Sequence, residues 1–300
     1  MQNKSTSWYK KPENFALLLI IPLQIIMNLV GLFPLIAEIY VSFTNWSPTS
    51  GDWYTAKFIG LENYYRIFFK DVQFWQAIQR TLFLTIVCVL TEFLLGLGLA
   101  LLFTDNFFGK RFFTSAILLP MMVVPAATGY MFFMMFQKDG PVNAILSMIT
   151  GQEIKINWFV FGDTAMFTIF LADVWQWTPF MFLLMLSGLL ALPQDPINAA
   201  KVLGASRWQV FRHVILPMMK PLIAIALLLR GIEAFKIFDA AYIMTHGGPG
   251  TATQTVSMYM LEIGFRAWRL GYVAAEALLI VVAMLLFAWF VVRPIFLKRS

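Results

Sequence analysis

The residues from Ile78 to Phe103 read IQRTLFLTIVCVLTEFLLGLGLALLF, an almost unbroken apolar run whose charged members are Arg80 and Glu92. About 20 mostly apolar residues are enough for a helix to cross the hydrocarbon core of a bilayer. Further segments of the same kind lie at about 15–43, 113–136, 165–190, 221–244 and 271–292. The sequence therefore predicts an all-α membrane protein with about six transmembrane helices, built as one domain over residues 1–300.

The composition agrees with this class. Hydrophobic residues make up 60% of the chain and charged residues 13%, whereas soluble domains average about 45–50% and about 25%. The formal net charge of +6 is spread over short loops between the apolar runs, which is typical of membrane topology. We therefore predict contact with membrane lipid and no nucleic-acid partner.

The distribution of Lys and Arg predicts the orientation, because cytoplasmic loops are enriched in these residues. With the N-terminus inside, the inner segments hold more of them than the longer outer loops do. Both termini are then cytoplasmic, and so is the segment 191–220. The first apolar run is too long for a signal-peptide core of about 7–15 residues, so we expect it to remain as an uncleaved span.

No catalytic set is visible, and we predict that the chain is not an enzyme. Gly109-Lys110 lacks the upstream glycine and the hydroxyl of a phosphate-binding loop. His213 and His246 fall on opposite sides of the predicted membrane, and Cys88 is the only cysteine, so no metal site is predicted. If ATP supplies energy, another chain must hydrolyse it.

The predicted cytoplasmic segment contains the run NAAKVLGA from Asn198 to Ala205. It predicts a short helix with small residues on one face, a turn at Gly204, and a second helix that prolines end. The amphipathic stretch either lies on the membrane surface or docks into the groove of a partner, to which small residues permit close approach. The positions that we expect to carry this contact are Asn198, Ala199, Ala200, Gly204, Ala205, Phe211, Leu216 and Pro217.

This segment resembles the EAA loop of ABC-importer permeases, the conserved cytoplasmic loop that couples them to their ATPase. Asn198 stands where that family usually has Glu, and Leu203 stands where Asp is common. The resemblance implies that these residues couple the chain to an ATPase. The missing carboxylate removes one salt bridge that such a contact could use.

Three other stretches resemble carbohydrate-uptake permeases of the maltose type. They are Phe58–Tyr64 (FIGLENY), Asp173–Phe180 (DVWQWTPF), and Phe238-Asp239 with Thr245–Pro249 (THGGP). The resemblance implies a type I ABC-importer architecture in the bacterial inner membrane that carries a sugar, glycoside, polyol or sugar phosphate. The implied partners are a homologous second permease, an ATPase homodimer and an extracytoplasmic solute-binding protein. ATP and Mg would be bound by the ATPase, and no cofactor by this chain.

Polar residues inside the fourth predicted span share one face, because Asp173, Gln176, Trp177 and Phe180 are spaced i, i+3, i+4 and i+7. An aromatic ring beside hydrogen-bonding groups suits a sugar, and the resemblance assigns substrate contact to the matching face. Packing between helices around a buried Asp is the other interpretation.

In the fifth predicted span, Arg230, Glu233 and Lys236 step by three, with Asp239 continuing the face. They either bind polar substrate groups or neutralise one another. An unpaired Arg230 or Lys236 would favour an anionic substrate. Glu276 in the last span is a further possible substrate contact, or a partner for Lys236.

The alternative function is a proton-coupled secondary transporter that uses intramembrane carboxylates such as Glu233, Asp239 or Glu276. Such folds usually show internal repeats, which this sequence lacks, and the alternative leaves the loop around Gly204 and Pro217 unexplained. An intramembrane enzyme would need a nucleophile and a base, and no such pair is evident.

Overall fold

The computed structural model describes the backbone of residues 12–296 and the side chains of residues 20–293. Over this range the fold is helical, which confirms the predicted all-α class. In chain order the helices are α1 (Pro12–Ser42), α2 (Glu62–Phe69), α3 (Val72–Leu102), α4 (Lys110–Leu118), α5 (Pro125–Met135), α6 (Pro141–Thr150), α7 (Gly162–Leu190), α8 (Gln194–Val202), α9 (Arg207–Val210), α10 (Leu216–Phe235), α11 (Asp239–Thr245), α12 (Val256–Leu261) and α13 (Leu270–Phe296). The predicted topology also used Lys4, Lys10, Lys11, Lys298 and Arg299, which lie outside the described residues.

Five helical stretches of the described chain are long and apolar enough to cross a membrane, and a bent pair makes a sixth. The bent pair corresponds to the predicted span 113–136. Its two halves, Lys110–Met122 and Pro125–Met135, meet at 95°. Pro120 lies in the short 3₁₀ turn that ends the first half, and Pro125 begins α5, where a proline's missing N–H has no partner to lose.

The predicted span 221–244 needs two corrections. The helix ends at Phe235 and a new one begins at Asp239, so Lys236 and Asp239 do not continue the helical face of Arg230 and Glu233. At the other end, prolines do not end the helix, since a π-helical turn, Phe211–Ile215, joins α9 to α10. Pro217 follows soon after that turn, and Pro221 lies inside α10.

The contacts of the chain divide it into two compact units. In the first, formed by the described residues up to Asp71 with Glu262–Val282, the side chain of Asn63 ties three segments together. Its Nδ2 lies 2.9 Å from the carbonyl oxygen of Ser42, 2.8 Å from that of Thr44 and 3.2 Å from that of Gly271. Only glycine fits at position 271, because a Cβ built there would lie 2.4 Å from the carbonyl oxygen of Thr44. The FIGLENY stretch thus has a structural role.

The second unit comprises Val72–Leu261 and the described residues from Ala283 onward. Its centre is the packing of α3 against α7. At Gly96 the two backbones approach so closely that a Cβ would lie 2.7 Å from the Phe182 nitrogen. Small residues permit such close helix packing in membranes. Gly129 of α5 permits the same close approach to α11, since a Cβ built on Gly129 would lie 2.7 Å from the Cα of Ala240.

Candidate functional site

A cavity of about 260 Å³ opens inside the second unit, where two broken helices meet α7. One break precedes α5 and the other separates α10 from α11. Its lining residues are Pro125, Asp173, Gln176, Trp177, Arg230, Glu233, Lys236, Ile237, Phe238, Asp239 and Ala240. Non-helical backbone at membrane depth occurs where it is buried in protein or lines a cavity, and helix breaks are typical of substrate sites in transporters.

The cavity brings together six of the residues predicted from two separate spans. Asp173, Gln176 and Trp177 come from α7, Arg230 and Glu233 from α10, and Lys236 from the turn that follows α10. Phe180 is not among the lining residues, and its ring packs edge-on against Trp177 with centroids 6.3 Å apart. The proximity of these side chains agrees with the sequence prediction, whereas their role in binding stays a prediction.

Arg230 lies at the centre of a buried ionic cluster. Its Nε is 2.7 Å from Oε2 of Glu92, its Nη2 is 2.8 Å from Oε1 of Glu92, and Nη2 also contacts Oδ2 of Asp173. The side chains of Arg230 and Glu92 are 2% and 0% exposed. The guanidinium carbon also lies 5.0 Å from the centre of the Trp177 ring, within reach of a cation–π contact.

Glu233 and Lys236 form a second pair, 2.8 Å between Nζ and Oε1, with both side chains about half exposed. The predicted mutual neutralisation therefore holds for these two residues, while Arg230 takes its partners from other helices. Both cations are paired, so the condition that favoured an anionic substrate is not met. Asp239 is exposed and is in none of the ion pairs seen within residues 20–293.

Gln176 stabilises the break before α5. Its Nε2 donates a 2.6 Å hydrogen bond to the carbonyl oxygen of Val123, in the two-residue gap between the 3₁₀ turn and α5. The broken backbone would otherwise carry an unpaired carbonyl at membrane depth, which is costly. One donor of the Gln176 amide is thus engaged in shaping the cavity.

Two further predicted features have other surroundings. The carboxyl oxygens of Glu276, in the first unit, are buried and have no hydrogen-bond partner among the described residues. Cys88 Sγ and carboxylate oxygens of Glu92 and Asp173 lie within 4.8 Å of one another. Because both carboxylates already bind Arg230, this group forms an ionic cluster and not an open cation site.

Glu92 is the residue that sequence reasoning missed. It is the one carboxylate between Ile78 and Phe103, and nothing in that run indicates its partner. Its pairing with Arg230 joins positions 138 residues apart, and spacing along a single helix cannot indicate such a contact.

The predicted cytoplasmic segment exposes apolar side chains at its tip. Val202 and Leu203, at the end of α8, are 88% and 86% exposed, and Trp208 of α9 is 64% exposed. Gly204 adopts a φ of 82°, the left-handed conformation that reverses the chain between α8 and α9. Ser206 then caps α9, since its Oγ accepts from the Gln209 N–H at 3.3 Å.

The other predicted residues of this segment differ in exposure. Asn198 and Ala199 are exposed, whereas Ala200, Ala205 and Phe211 are half-buried. Leu216 and Pro217 lie in the first turn of α10. From Leu216 to Arg230 the helix rises about 21 Å, so one helix joins the exposed tip to the ionic cluster.

A helical membrane protein with a polar cavity at broken helices and an exposed apolar loop belongs to the class of membrane transport components. Comparison with known proteins identifies the family. Residues 92–293 match the model of the binding-protein-dependent transport system inner membrane component, and the chain belongs to that family. The predicted resemblance to ABC-importer permeases and the predicted multi-pass inner-membrane location are thereby confirmed.

Two relatives and one structure illustrate the similarity. The chain is 36% identical to the sulfoquinovosyl glycerol transport system permease protein SmoG of Agrobacterium fabrum, over 87% of this chain and 84% of the relative. It is 33% identical to the trehalose/maltose transport system permease protein MalF of Thermococcus litoralis, over 90% and 89%. A bacterial ABC transporter involved in import of the acidic polysaccharide alginate shares the fold, with a TM-score of 0.78, 20% identity, and coverage of 93% and 94%.

Proposed function

We propose that this chain is a membrane-spanning subunit of an ATP-driven importer that carries a sugar or sugar derivative, delivered by an extracytoplasmic binding protein. Support comes from the family and from relatives named for the transport of trehalose/maltose and of sulfoquinovosyl glycerol. The proposed partners are a second homologous permease and an ATPase dimer that binds ATP and Mg.

The cavity beside Trp177 is the proposed sugar site, and it is the observation that carries this function. An indole ring can stack on the C–H face of a sugar while neighbouring polar groups bind hydroxyls. Glu233, Lys236 and Asp239 offer half-exposed or exposed acceptors and donors at the same cavity. Concave sites lined by apolar groups with a few placed polar groups are typical of small-molecule binding.

The exposed tip formed by Val202, Leu203 and Trp208 is the proposed contact with the ATPase. Large apolar side chains that are nearly fully exposed on a short helical hairpin indicate a surface that another protein covers. Asn198 cannot supply the negative charge of the usual Glu, so the contact would depend on these apolar groups. ATP-driven closure of the ATPase would displace this hairpin and, through α10, the residues around Arg230.

The alternative of proton-coupled transport is not favoured. The family to which the chain belongs is binding-protein-dependent, and Glu233 already pairs with Lys236. The alternative also assigns no role to the exposed tip.

The proposed function can be tested in the reconstituted importer by measuring ATP hydrolysis and sugar uptake in the presence of the binding protein. Replacement of Trp177 by Ala removes the stacking surface, and we expect uptake to fall by about 30-fold or more, since aromatic anchors can contribute at least about 2 kcal/mol to binding.

Trp175 offers a matched control, because it lies two residues away and packs against Phe132, with ring centroids 5.7 Å apart. Trp175 is not among the residues that line the cavity, so Trp175→Ala should retain uptake, measured per amount of assembled importer, to within about threefold. Equal uptake by the two variants would show that the cavity is not the sugar site.

A further inference from the structure

The charges at the cavity are unevenly balanced. Asp173, Glu233 and Asp239 supply three carboxylates, whereas Arg230 and Lys236 supply two cations. Both cations are held in ion pairs, and Asp239 is the exposed carboxylate that takes part in none of the pairs found in the described range. The cavity is thus negative in formal charge, although it contains an arginine and a lysine.

Glu92 makes this imbalance larger from outside the cavity. It is not a lining residue, and its carboxylate accepts hydrogen bonds from both Nε and Nη2 of Arg230, at 2.7 and 2.8 Å. A bidentate pair of this kind fixes the plane of a guanidinium. The hydrogen bonds to Glu92 and Asp173 use Nε and Nη2, which leaves Nη1 outside both ion pairs.

This arrangement treats charged and uncharged ligands differently. A hydroxyl or ring oxygen needs a single donor, and we expect Nη1 to supply it, since Arg230 lines the cavity and Nη1 is outside both ion pairs. An anionic group would have to share Arg230 with two carboxylates already bound to it, and would also face Asp239. Like charges brought together in this way disfavour binding.

We propose that Glu92 is a positioning residue that neutralises Arg230 and thereby makes this cavity select an uncharged sugar against an acidic one. The inference rests on the proposed function in one respect, namely that the cavity binds sugar. Its electrostatic basis can be measured without any sugar.

The first test measures the charge of the cavity with thiol reagents. Ile237, a lining residue, is replaced by Cys in a Cys88→Ala background within the assembled importer. We compare the reaction rates of two methanethiosulfonates, one carrying a sulfonate and one a trimethylammonium group. The cationic reagent should be favoured, relative to free cysteine, and Glu92→Gln should reduce that preference by at least about fivefold.

Two variants control this measurement. Glu153→Gln makes the same change at an exposed loop residue and should leave the rate ratio unchanged. The double variant Glu92→Gln with Arg230→Gln removes one charge of each sign, so the ratio should return towards its original value. If Glu92→Gln alone fails to fold because Arg230 has lost a counter-charge, the double variant can still be measured, since it lacks that arginine. The proposal would be overturned if Glu92→Gln left the ratio of the two reagent rates unchanged. It would also be overturned if the double variant gave the same ratio as Glu92→Gln.

The second test measures selectivity in the same importer with maltotriose and trigalacturonate, an uncharged and an acidic trisaccharide. The original chain should bind maltotriose more tightly, and Glu92→Gln should narrow the difference by about tenfold or more. Tighter binding of trigalacturonate by the original chain would overturn the proposal. Unaltered maltotriose binding in Trp177→Ala would instead contradict the proposed function. The reagent rates test the charge of the cavity separately, even if neither trisaccharide binds.

Discussion

The ionic cluster around Arg230 and the exposed tip around Leu203 both depart from the usual distribution of side chains, the first by burying charges and the second by exposing apolar groups. Arg230 and Glu92 are charged and almost completely buried at membrane depth, whereas Val202 and Leu203 are apolar and almost completely exposed in a predicted cytoplasmic segment. The cluster finds its partners within the chain. The tip has no comparable cover within the described residues.

The difference indicates two kinds of constraint. A buried ion pair is costly to desolvate and is strongly destabilising when one partner is lost, so the cluster holds three helices, α3, α7 and α10, in a fixed arrangement. An exposed apolar tip contributes little to the fold of the chain that carries it. Its side chains matter only where a partner covers them, and the predictions below separate these two roles.

The largest effect is expected for Arg230→Ala, which leaves Glu92 and Asp173 without their cation. We expect the free energy of unfolding in detergent micelles to fall by about 3–5 kcal/mol. Lys236→Ala breaks a half-exposed pair and should cost about 0–1 kcal/mol. Equal losses in the two variants would remove the distinction between a buried cluster and a surface pair.

A smaller effect is expected where α3 and α7 meet, one turn from Glu92. A Cβ at Gly96 would lie 2.7 Å from the Cβ of Met181, so Gly96→Ala forces the helices apart and should cost about 1–3 kcal/mol. Gly98 has no heavy atom within 4 Å of a built Cβ. Gly98→Ala should therefore be neutral or stabilising by up to about 1 kcal/mol. Thermal unfolding of both variants measures the difference, and a similar loss in each would argue against close packing.

The smallest effect on stability is expected at the tip. Leu203→Asp changes an exposed side chain, so the free energy of unfolding should stay within about 0.5 kcal/mol. ATP hydrolysis stimulated by the sugar-loaded binding protein should nevertheless fall by about tenfold or more, because a partner that covers position 203 would bury an unpaired carboxylate.

Met148 provides the matched control for the tip, since it is 84% exposed on α6, outside the predicted cytoplasmic segment. Met148→Asp should leave both stability and stimulation unchanged. Full stimulation in Leu203→Asp would mean that the tip does not carry the coupling contact.

The sequence predicted the class of fold because its signal is local. Apolar length alone indicates a span, and the face shared by Asp173, Gln176 and Trp177 follows from helical spacing. The same local rules predicted that two separate faces would be polar, and the structure places them around one cavity.

The remaining features depend on contacts between distant segments. The pairing of Glu92 with Arg230 follows from the way α3 approaches α10, which no single-helix pattern contains. The break after Phe235 also escaped prediction, since Lys236–Phe238 contains neither proline nor glycine. Conversely, Pro217 predicted the end of a helix, whereas the chain continues through the π-helical turn Phe211–Ile215 into α10.

The most direct test of the account is a structure of the importer, assembled with its ATPase and binding protein and trapped with a bound sugar. The account predicts that the sugar lies in the cavity against Trp177, with hydroxyls on Asp239 and on Nη1 of Arg230, while Glu92 keeps its bidentate contact. Sugar bound elsewhere on the path, with this cavity empty, would contradict it.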